Sequence, residues 1–566
     1  MNLPLSIDHL TVDIAGRAGH VRPVNGISLE VHDREILAIV GESGSGKTIT
    51  ARAILGLFPN GATAAGAIIV NGQDVLTVSA KQLREIRGSD AAMVFQEPST
   101  ALNPVYPIGW QIEEGLRAHG ISDRAARRAT AISMLRAVGI PEPERRIDSF
   151  PHQFSGGQKQ RIVIAMALAL EPRIIIADEP TTALDVTVQA EILDLLRRCR
   201  DELGASIVLI THNMGVVADL ADRVAVMFRG EIVEDAPVRE LFESPRDPYT
   251  QRLLSAVPRL GAGRIRPALM SPPKLSSEAD ANPSQQDPIL KTTDLEISYP
   301  GRLRKSTFVA VRGVSITVQP GEVYGLVGES GSGKSTIGKA LAGITTVTGG
   351  SLRLLGEDVT ALKPKEMRAL RRRVGFVFQD PAASFNSFFS VFDCIAEPVK
   401  IHRTITSKTE LRARVLELLD AVELPRSMAD RAPHELSGGQ RQRVGLARAL
   451  ILNPEFVIAD EPTSALDVSV QARVLELFSY LQQELGFASL FITHDLAVVE
   501  QLADTVGVLR AGKLVEQGET SQVLLSPEHE YTRSLVDAVP IPDPVEQAVR
   551  RAARLQHSIA KPGVGG

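Results

Sequence analysis

One glycine-rich pattern, G-x-x-x-x-G-K-[ST], occurs twice in the chain, as GESGSGKT at 41–48 and as GESGSGKS at 328–335. Each copy is followed by the same ordered set of short motifs. Lys47 and Lys334 lie 287 positions apart, Gln96 and Gln379 lie 283 apart, and Ser155/Ser437, Asp178/Asp460 and His212/His494 are each separated by 282. Small insertions fall early, and the later part stays in register. Solenoid and propeller units recur at roughly 20–50 residues, so a period this long means a duplicated domain. The length of 566 residues agrees, because it exceeds what one hydrophobic core serves.

Glycines let successive backbone amides turn toward an anion, and the positive end of the following helix points at the same place. The first copy offers Gly41, Glu42, Ser43, Gly44, Ser45 and Gly46 as such a cradle, and the second offers Gly328, Glu329, Ser330, Gly331, Ser332 and Gly333. Lys47 and Lys334 then reach terminal phosphates. Thr48 and Ser335, with Thr336 beside the latter, present hydroxyls, of which the first in each copy suits magnesium.

The surrounding pattern fits that reading. Residues 35–40 (EILAIV) form a short apolar run ending at the first loop, and the chain turns helical from Ile49, giving strand, loop, helix. Residues 173–178 (RIIIAD) are apolar enough for a central parallel strand, and 207–211 (IVLIT) lead to His212. Alternating strands and helices predict an α/β core with its chemistry at the carboxyl ends of the strands. Residues 122–150 predict a separate helical subdomain. Residues 261–288 are rich in Pro and Ser and read as a linker. The end of the chain, 542–566, reads as a flexible tail, with Arg550, Arg551 and Arg554 on a short helix.

Composition excludes several classes. With 62 basic and 67 acidic residues and a net charge of −5, no overall positive field points to nucleic acid. Two cysteines, Cys199 and Cys394, support neither a disulfide framework nor a structural zinc site, and a reducing compartment is expected. The N-terminus lacks the pattern of a secretory leader and begins as a strand would. The clearest apolar run, IVIAMALAL at 162–170, is far shorter than the ~20 residues a membrane span needs, and predicts a buried helix.

Asp178 and Asp460 close their apolar strands, each followed by a second acid, Glu179 or Glu461. The first acid suits the metal's water shell; the second suits orienting or deprotonating an attacking water, the division of labour that phosphoryl transfer needs. FSGGQ at 154–158 and LSGGQ at 436–440 complete the set. Together with Gln96, Gln379, the ALD triplets at 183–185 and 465–467, and His212 and His494, the chain resembles ABC-type ATPases over both halves.

That resemblance implies an α/β fold of two tandem nucleotide-binding domains, each a RecA-like P-loop core with an antiparallel β subdomain and a helical subdomain. It implies head-to-tail pairing of the halves, with ATP and Mg2+ between the glycine loop of one and the SGGQ of the other. One site then takes Lys47, Thr48, Gln96, Asp178, Glu179 and His212 with Ser437, Gly438, Gly439 and Gln440. The other takes Lys334, Ser335, Gln379, Asp460, Glu461 and His494 with Ser155, Gly156, Gly157 and Gln158. Asp185 and Asp467 close the ALD triplets beside the nucleotide. Thr48, Gln96 and Asp178, and likewise Ser335, Gln379 and Asp460, are expected at magnesium, while the glutamates, histidines and glutamines are expected to serve catalysis. Both sites are expected to be competent. Tyr299 suits stacking on adenine, with Phe308 competing for the role, whereas 12–16 (VDIAG) offers no ring, so weaker stacking is expected in the first site.

The stretches 244–258 (SPRDPYTQRLLSAVP) and 526–540 (SPEHEYTRSLVDAVP) are similar to the C-terminal extension of importer ATPases for dipeptides, oligopeptides, nickel or glutathione. The domains are therefore expected at 1–260 and 289–541, each with such an extension. The partners implied are two transmembrane permease subunits and, indirectly, an extracytoplasmic binding protein. The location implied is the cytoplasmic face of the inner membrane. The second glutamine loop, 379–390 (QDPAASFNSFFS), departs from the first, which fits docking on two different permeases or a packing difference. The extensions hold no cysteine, and no iron-sulfur cluster is expected. Two alternatives are a soluble tandem ATPase acting on ribosomes, disfavoured by the Pro/Ser linker, and a DNA-repair ATPase, disfavoured by the missing zinc cysteines. The solute is not encoded in an ATPase subunit.

Overall fold

The computed structural model describes residues 3–16, 19–182, 184–261, 263–264, 287–300, 307–463 and 466–560. It divides into two units. The first comprises Met1–Val257, Asp467–Ser469 and Pro540–Gly566, and the second Pro258–Leu466 and Val470–Val539. The breaks at 257/258 and 539/540 fall just before the expected boundaries. The expected linker, 261–288, lies outside the described residues except at 261, 263–264 and 287–288.

In the first unit a six-stranded sheet runs in the order Glu231–Pro237, Arg223–Phe228, Ile36–Val40, Ser206–Ile210, Ile174–Asp178, Ala91–Val94. All neighbours are parallel except the first pair. The sequences ILAIV, IIIAD and SIVLI are buried at every residue, as central strands covered on both faces must be. A second, antiparallel sheet pairs Gly19–Val31, Leu5–Gly16, Ala62–Val70 and Gln73–Asp74 in that order. It covers the helix Lys47–Ile54 with Leu5, Ile7, Leu29, Val31 and Ile68. The helices Ile108–Ala118 and Arg124–Ala137 fall in and beside the expected helical region, and close a second core with Ile112, Leu116, Leu135 and Ile162.

The second unit repeats this plan. Its mainly parallel sheet runs Val374–Val377, Phe456–Asp460, Ala488–Ile492, Val323–Val327, Thr505–Arg510, Lys513–Glu519. Its antiparallel sheet is built on Leu290–Tyr299 flanked by Phe308–Val314 and Gly349–Leu354. In both units the glycine loop leaves the carboxyl end of a central strand, where open α/β sheets place their ligands. No helix among the described residues is long and apolar enough to cross a membrane.

The expected flexible tail is 542–566, of which 561–566 lie outside the described residues, and the described part is not flexible. Pro544–Ala560 is a helix, and it belongs to the first unit. Arg551 donates to the Asp219 carbonyl at 3.0 Å, and Arg554 to the Asp194 carboxylate at 2.9 Å. A Cβ on Gly215 would lie 2.6 Å from the Pro540 carbonyl oxygen, so only glycine admits the segment there. The sequence hid this because the acids lie 332 and 360 residues from the arginines they meet.

Candidate functional site

In the first unit Gly41 takes φ 151° and Gly46 φ 109°. A Cβ at these positions would fall 2.1 Å from the Met227 carbonyl oxygen and 2.3 Å from that of Pro23. Sterics therefore require glycine at both. Gly46 precedes the helix Lys47–Ile54, whose first residue is the loop lysine. Lys47 Nζ donates to the carbonyls of Gly41 and Glu42, each at 2.8 Å. Burial pushes its ammonium pKa down, against the opposing pull of Asp467, Glu179 and Asp178.

Across the loop, Thr48 Oγ1 donates to Asp178 at 3.3 Å. Burial, and then the neighbouring Glu179 charge, raise the Asp178 carboxyl to about 6. Glu179 itself sits at φ 47°, a left-handed conformation that a non-glycine residue holds only when its surroundings enforce it. Its amide donates to the Ile210 carbonyl at 2.8 Å, and its carboxylate accepts from Gln96 Nε2 at 2.7 Å, Thr182 Oγ1 at 2.8 Å and His212 Nδ1 at 3.1 Å. Burial opposes ionisation of Glu179, yet the hydrogen bonds from His212 and Thr182 and the His212 charge hold it below the usual carboxylate range. Desolvation lowers the His212 imidazole, but Glu179 raises it above the ordinary value.

The second unit reproduces this cluster. Lys334 Nζ donates to Gly328 at 2.7 Å and to Glu329 at 2.8 Å, and Ser335 Oγ donates to Asp460 at 2.8 Å. Gln379 Nε2 reaches Glu461 at 2.9 Å, and His494 Nδ1 lies 3.5 Å from the same carboxylate. Glu461 has φ 47°, as Glu179 does. Burial raises Asp460, while Glu461 is held low by its partners against burial.

Gln96 and Gln379, expected at the metal, thus join through the glutamates. The Thr48–Asp178 and Ser335–Asp460 pairs are hard oxygen donors of the kind magnesium takes, one carboxylate and one hydroxyl beside substrate phosphates. Among the described residues no group of three acids, histidines or cysteines forms a cage of its own.

Ser155 and Ser437 cap the helices Gly156–Leu168 and Gly438–Leu450, accepting from the amides of Gln158 and Gln440. These glutamines return bonds to the serine amides at 3.2 and 2.9 Å. Each capping box leaves its serine and the next glycine, Gly156 or Gly438, exposed, while Gly157 and Gly439 pack closer to the unit. Asp185 precedes the helix Val186–Leu203. Its counterpart Asp467 belongs to the first unit, where Ser469 Oγ donates to the Glu42 carboxylate at 2.5 Å. Ala183 and Ala465 lie outside the described residues.

Tyr299 and Phe308 are register partners across two strands, 38% and 60% exposed, so an open aromatic pair stands where adenine stacking was expected. In the first unit the register partners at that tip are Ile14 with Val21 and Ala15 with His20. Trp110 is 43% exposed and stacks on Tyr106 at 4.0 Å. Thr182 and Ser469 were not singled out from the sequence. Thr182 lies three residues past Glu179, close enough to be suspected, whereas nothing local marks Ser469.

The profile of the family described as ABC transporter matches residues 24–182 and 311–464. A second, described as the oligopeptide/dipeptide transporter C-terminal region, matches 233–281 and 515–565. Among curated proteins, the glutathione import ATP-binding protein GsiA of Pectobacterium atrosepticum is 44% identical over 565 residues, covering 95% of this chain and 90% of that protein. Its namesake from Escherichia coli K12 is 43% identical over 572 residues, covering 97% and 91%.

Proposed function

The chain belongs to the ABC transporter family as an ATPase with two cassettes, and on that premise we propose that it is the energy-coupling subunit of an importer for di- or oligopeptides or a related small solute. Glutathione, a tripeptide, is the solute in the printed name of its relatives. The observation that carries the reading is the pairing, in both halves, of a complete hydrolytic cluster with an oligopeptide/dipeptide-type extension. The translation-factor alternative has no such support.

The proposed mechanism follows from the two clusters. Loop amides and Lys47 or Lys334 bind the β and γ phosphates of ATP, and Thr48 or Ser335 with Asp178 or Asp460 holds magnesium. When bound, Mg2+ neutralises charge on the transferred phosphoryl group. Glu179 and Glu461, kept ionised and aimed by glutamine and histidine, orient the attacking water and take its proton. His212 and His494 then lie beside the γ phosphate.

The signature serines and glycine amides are helix N-termini, which favour an anion. We assign them to the opposite half's nucleotide, so that ATP favours a closed pair and its cleavage an open one. A ligand shifts such an equilibrium only by its differential affinity for the two states. The proposed partners are two permease subunits at the inner membrane's cytoplasmic face, fed by an extracytoplasmic binding protein, with no nucleic acid.

The test is an affinity tag on the full chain, expressed with its neighbouring genes and purified from detergent-extracted membranes. Integral-membrane subunits should co-purify, and cells lacking the chain should lose uptake of labelled glutathione or short peptides. Co-sedimentation with ribosomes in place of membrane subunits would overturn the reading.

A further inference from the structure

The extensions end in a motif that ATP hydrolysis by itself does not use. In the first, Pro248–Ser255 is a helix whose second residue is Tyr249, 6% exposed and stacked on Phe228 at 4.2 Å. The Glu42 amide donates to the Tyr249 hydroxyl at 3.0 Å. In the second, Tyr531 stands in the helix Glu530–Ala538, 5% exposed, with the Arg510 guanidinium 4.6 Å over its ring. There the Glu329 amide donates to the Tyr531 hydroxyl at 3.4 Å.

Glu42 and Glu329 are the second residues of the two glycine loops. Their carbonyls are engaged as well. Each accepts from the loop lysine at 2.8 Å and from a loop serine amide, Ser45 or Ser332, at 3.1 Å. One peptide group therefore carries the lysine on its oxygen side, while the next amide toward the N-terminus meets the extension tyrosine.

The tyrosines are themselves held firmly. Asp247 caps the first helix by accepting from the Tyr249 amide at 2.7 Å, and His529 Nδ1 accepts from the Tyr531 amide at 3.1 Å. The turns before them are fastened to the preceding strand. Glu234 accepts from the amides of Arg246 and Asp247 at 2.8 and 3.1 Å, and Glu516 accepts from those of Glu528 and His529 at the same distances. The path runs from strand carboxylate to turn, to helix cap, to tyrosine hydroxyl, to the glycine loop, and it is built twice.

We infer that Tyr249 and Tyr531 are positioning residues of the two phosphate loops, through which each extension sets the placement of the loop lysine and so the affinity for ATP. Both meet the loops through the backbone amides of Glu42 and Glu329. The inference rests on the reading of 41–48 and 328–335 as phosphate loops. Its consequence is that anything displacing an extension also loosens the nucleotide cradle beneath it.

The test is the full chain carrying Tyr249→Phe and Tyr531→Phe, which keeps both rings and removes only the hydroxyls. The readouts are the Kd for ATP, kcat at saturating ATP, amide exchange at Glu42 and Glu329, and thermal unfolding without nucleotide. Expected are a Kd raised about tenfold, the upper end of what one lost hydrogen bond commands, faster exchange at the two amides, a kcat within about twofold and an unfolding temperature lowered by a few degrees, as the loss of a buried hydrogen bond requires. An unchanged Kd overturns the inference, and so does a raised Kd without faster exchange at the Glu42 and Glu329 amides. Lys47→Ala with Lys334→Ala separates the two readings: if that variant binds ATP as the wild type does, the phosphate-loop reading itself fails.

Discussion

At the scale of single residues, the two glutamates show how a carboxylate is prepared as a base. Both sit at φ 47° and are half-buried, and both remain ionised because glutamine and histidine surround them. Replacing Glu179 and Glu461 by Gln keeps the shape and removes the base. Steady-state assays should show turnover lowered by ~10²–10⁴, with ATP binding preserved in a filter or fluorescence assay; wild-type turnover would take both acids out of the mechanism. A carboxylate of the opposite kind is Glu500, 5% exposed, whose pKa burial raises although the Gly261 amide, at 2.7 Å, pulls it back. Because its folded value exceeds the ordinary 4.5, the stability it contributes is complete below that pH and is lost as pH rises through the folded value. Glu500→Gln should therefore unfold at higher urea than the wild type at pH 7, and the difference should close toward pH 4. An advantage that persists at pH 4 would contradict this assignment of the charge. The motif acids were legible from sequence because their position after a glycine loop marks them. Glu500 was not, since its partner lies 239 residues away.

At the scale of elements, the strands were the most legible part, because an apolar run such as IIIAD can only be central. The signature helices were legible too, since S-x-x-Q is a capping box written in sequence. Their serines carry two roles, cap and proposed phosphate contact, which different substitutions separate. Alanine at an N-cap costs about 1 kcal/mol of stability, whereas glycine costs only a few tenths. Ser155→Gly with Ser437→Gly should therefore keep nearly the wild-type unfolding midpoint yet lose turnover as severely as the alanine pair. Turnover that instead follows the unfolding midpoint would reduce these serines to caps. The second glutamine loop was legible only as a departure. Within it, Ser384 and Phe385 meet Arg448, 9% exposed, which donates to the Ser384 carbonyl and hydroxyl at 2.9 and 2.7 Å and lies 4.7 Å over the Phe385 ring. The matching positions of the first unit hold Met166, Ala101 and Leu102, which pack as hydrocarbon. At these positions a buried guanidinium replaces an apolar contact.

At the scale of the whole molecule, the repeat made two matching units readable from motif order alone, but it could not reveal where the last residues go. The tail follows the second unit in sequence and belongs to the first in space. Its seat is absent from the second unit, where Ala497 and Gln501 stand at the positions of Gly215 and Asp219. Asp219 explains the energetics: its side chain is 1% exposed and faces Arg197 at 3.3 Å and Arg551 at 3.5 Å. Two guanidiniums share one buried carboxylate, and Arg554 draws in Asp194 beside them. Removing Arg551 and Arg554 takes away the Arg551 hydrogen bond to the Asp219 carbonyl and the Arg554 hydrogen bond to the Asp194 carboxylate, and hydrogen bonds of charged groups are worth about 1.5–3 kcal/mol each. Arg551→Ala with Arg554→Ala should therefore lower the stability of the first unit while leaving the second unchanged. Hydrogen exchange can read the two separately, because Met214–Leu220 and Leu496–Leu502 are equivalent helices in the two units. Faster exchange confined to Met214–Leu220 is the expected result. Equal protection of both helices in the variant and the wild type would mean that the tail adds nothing to the unit it lies on.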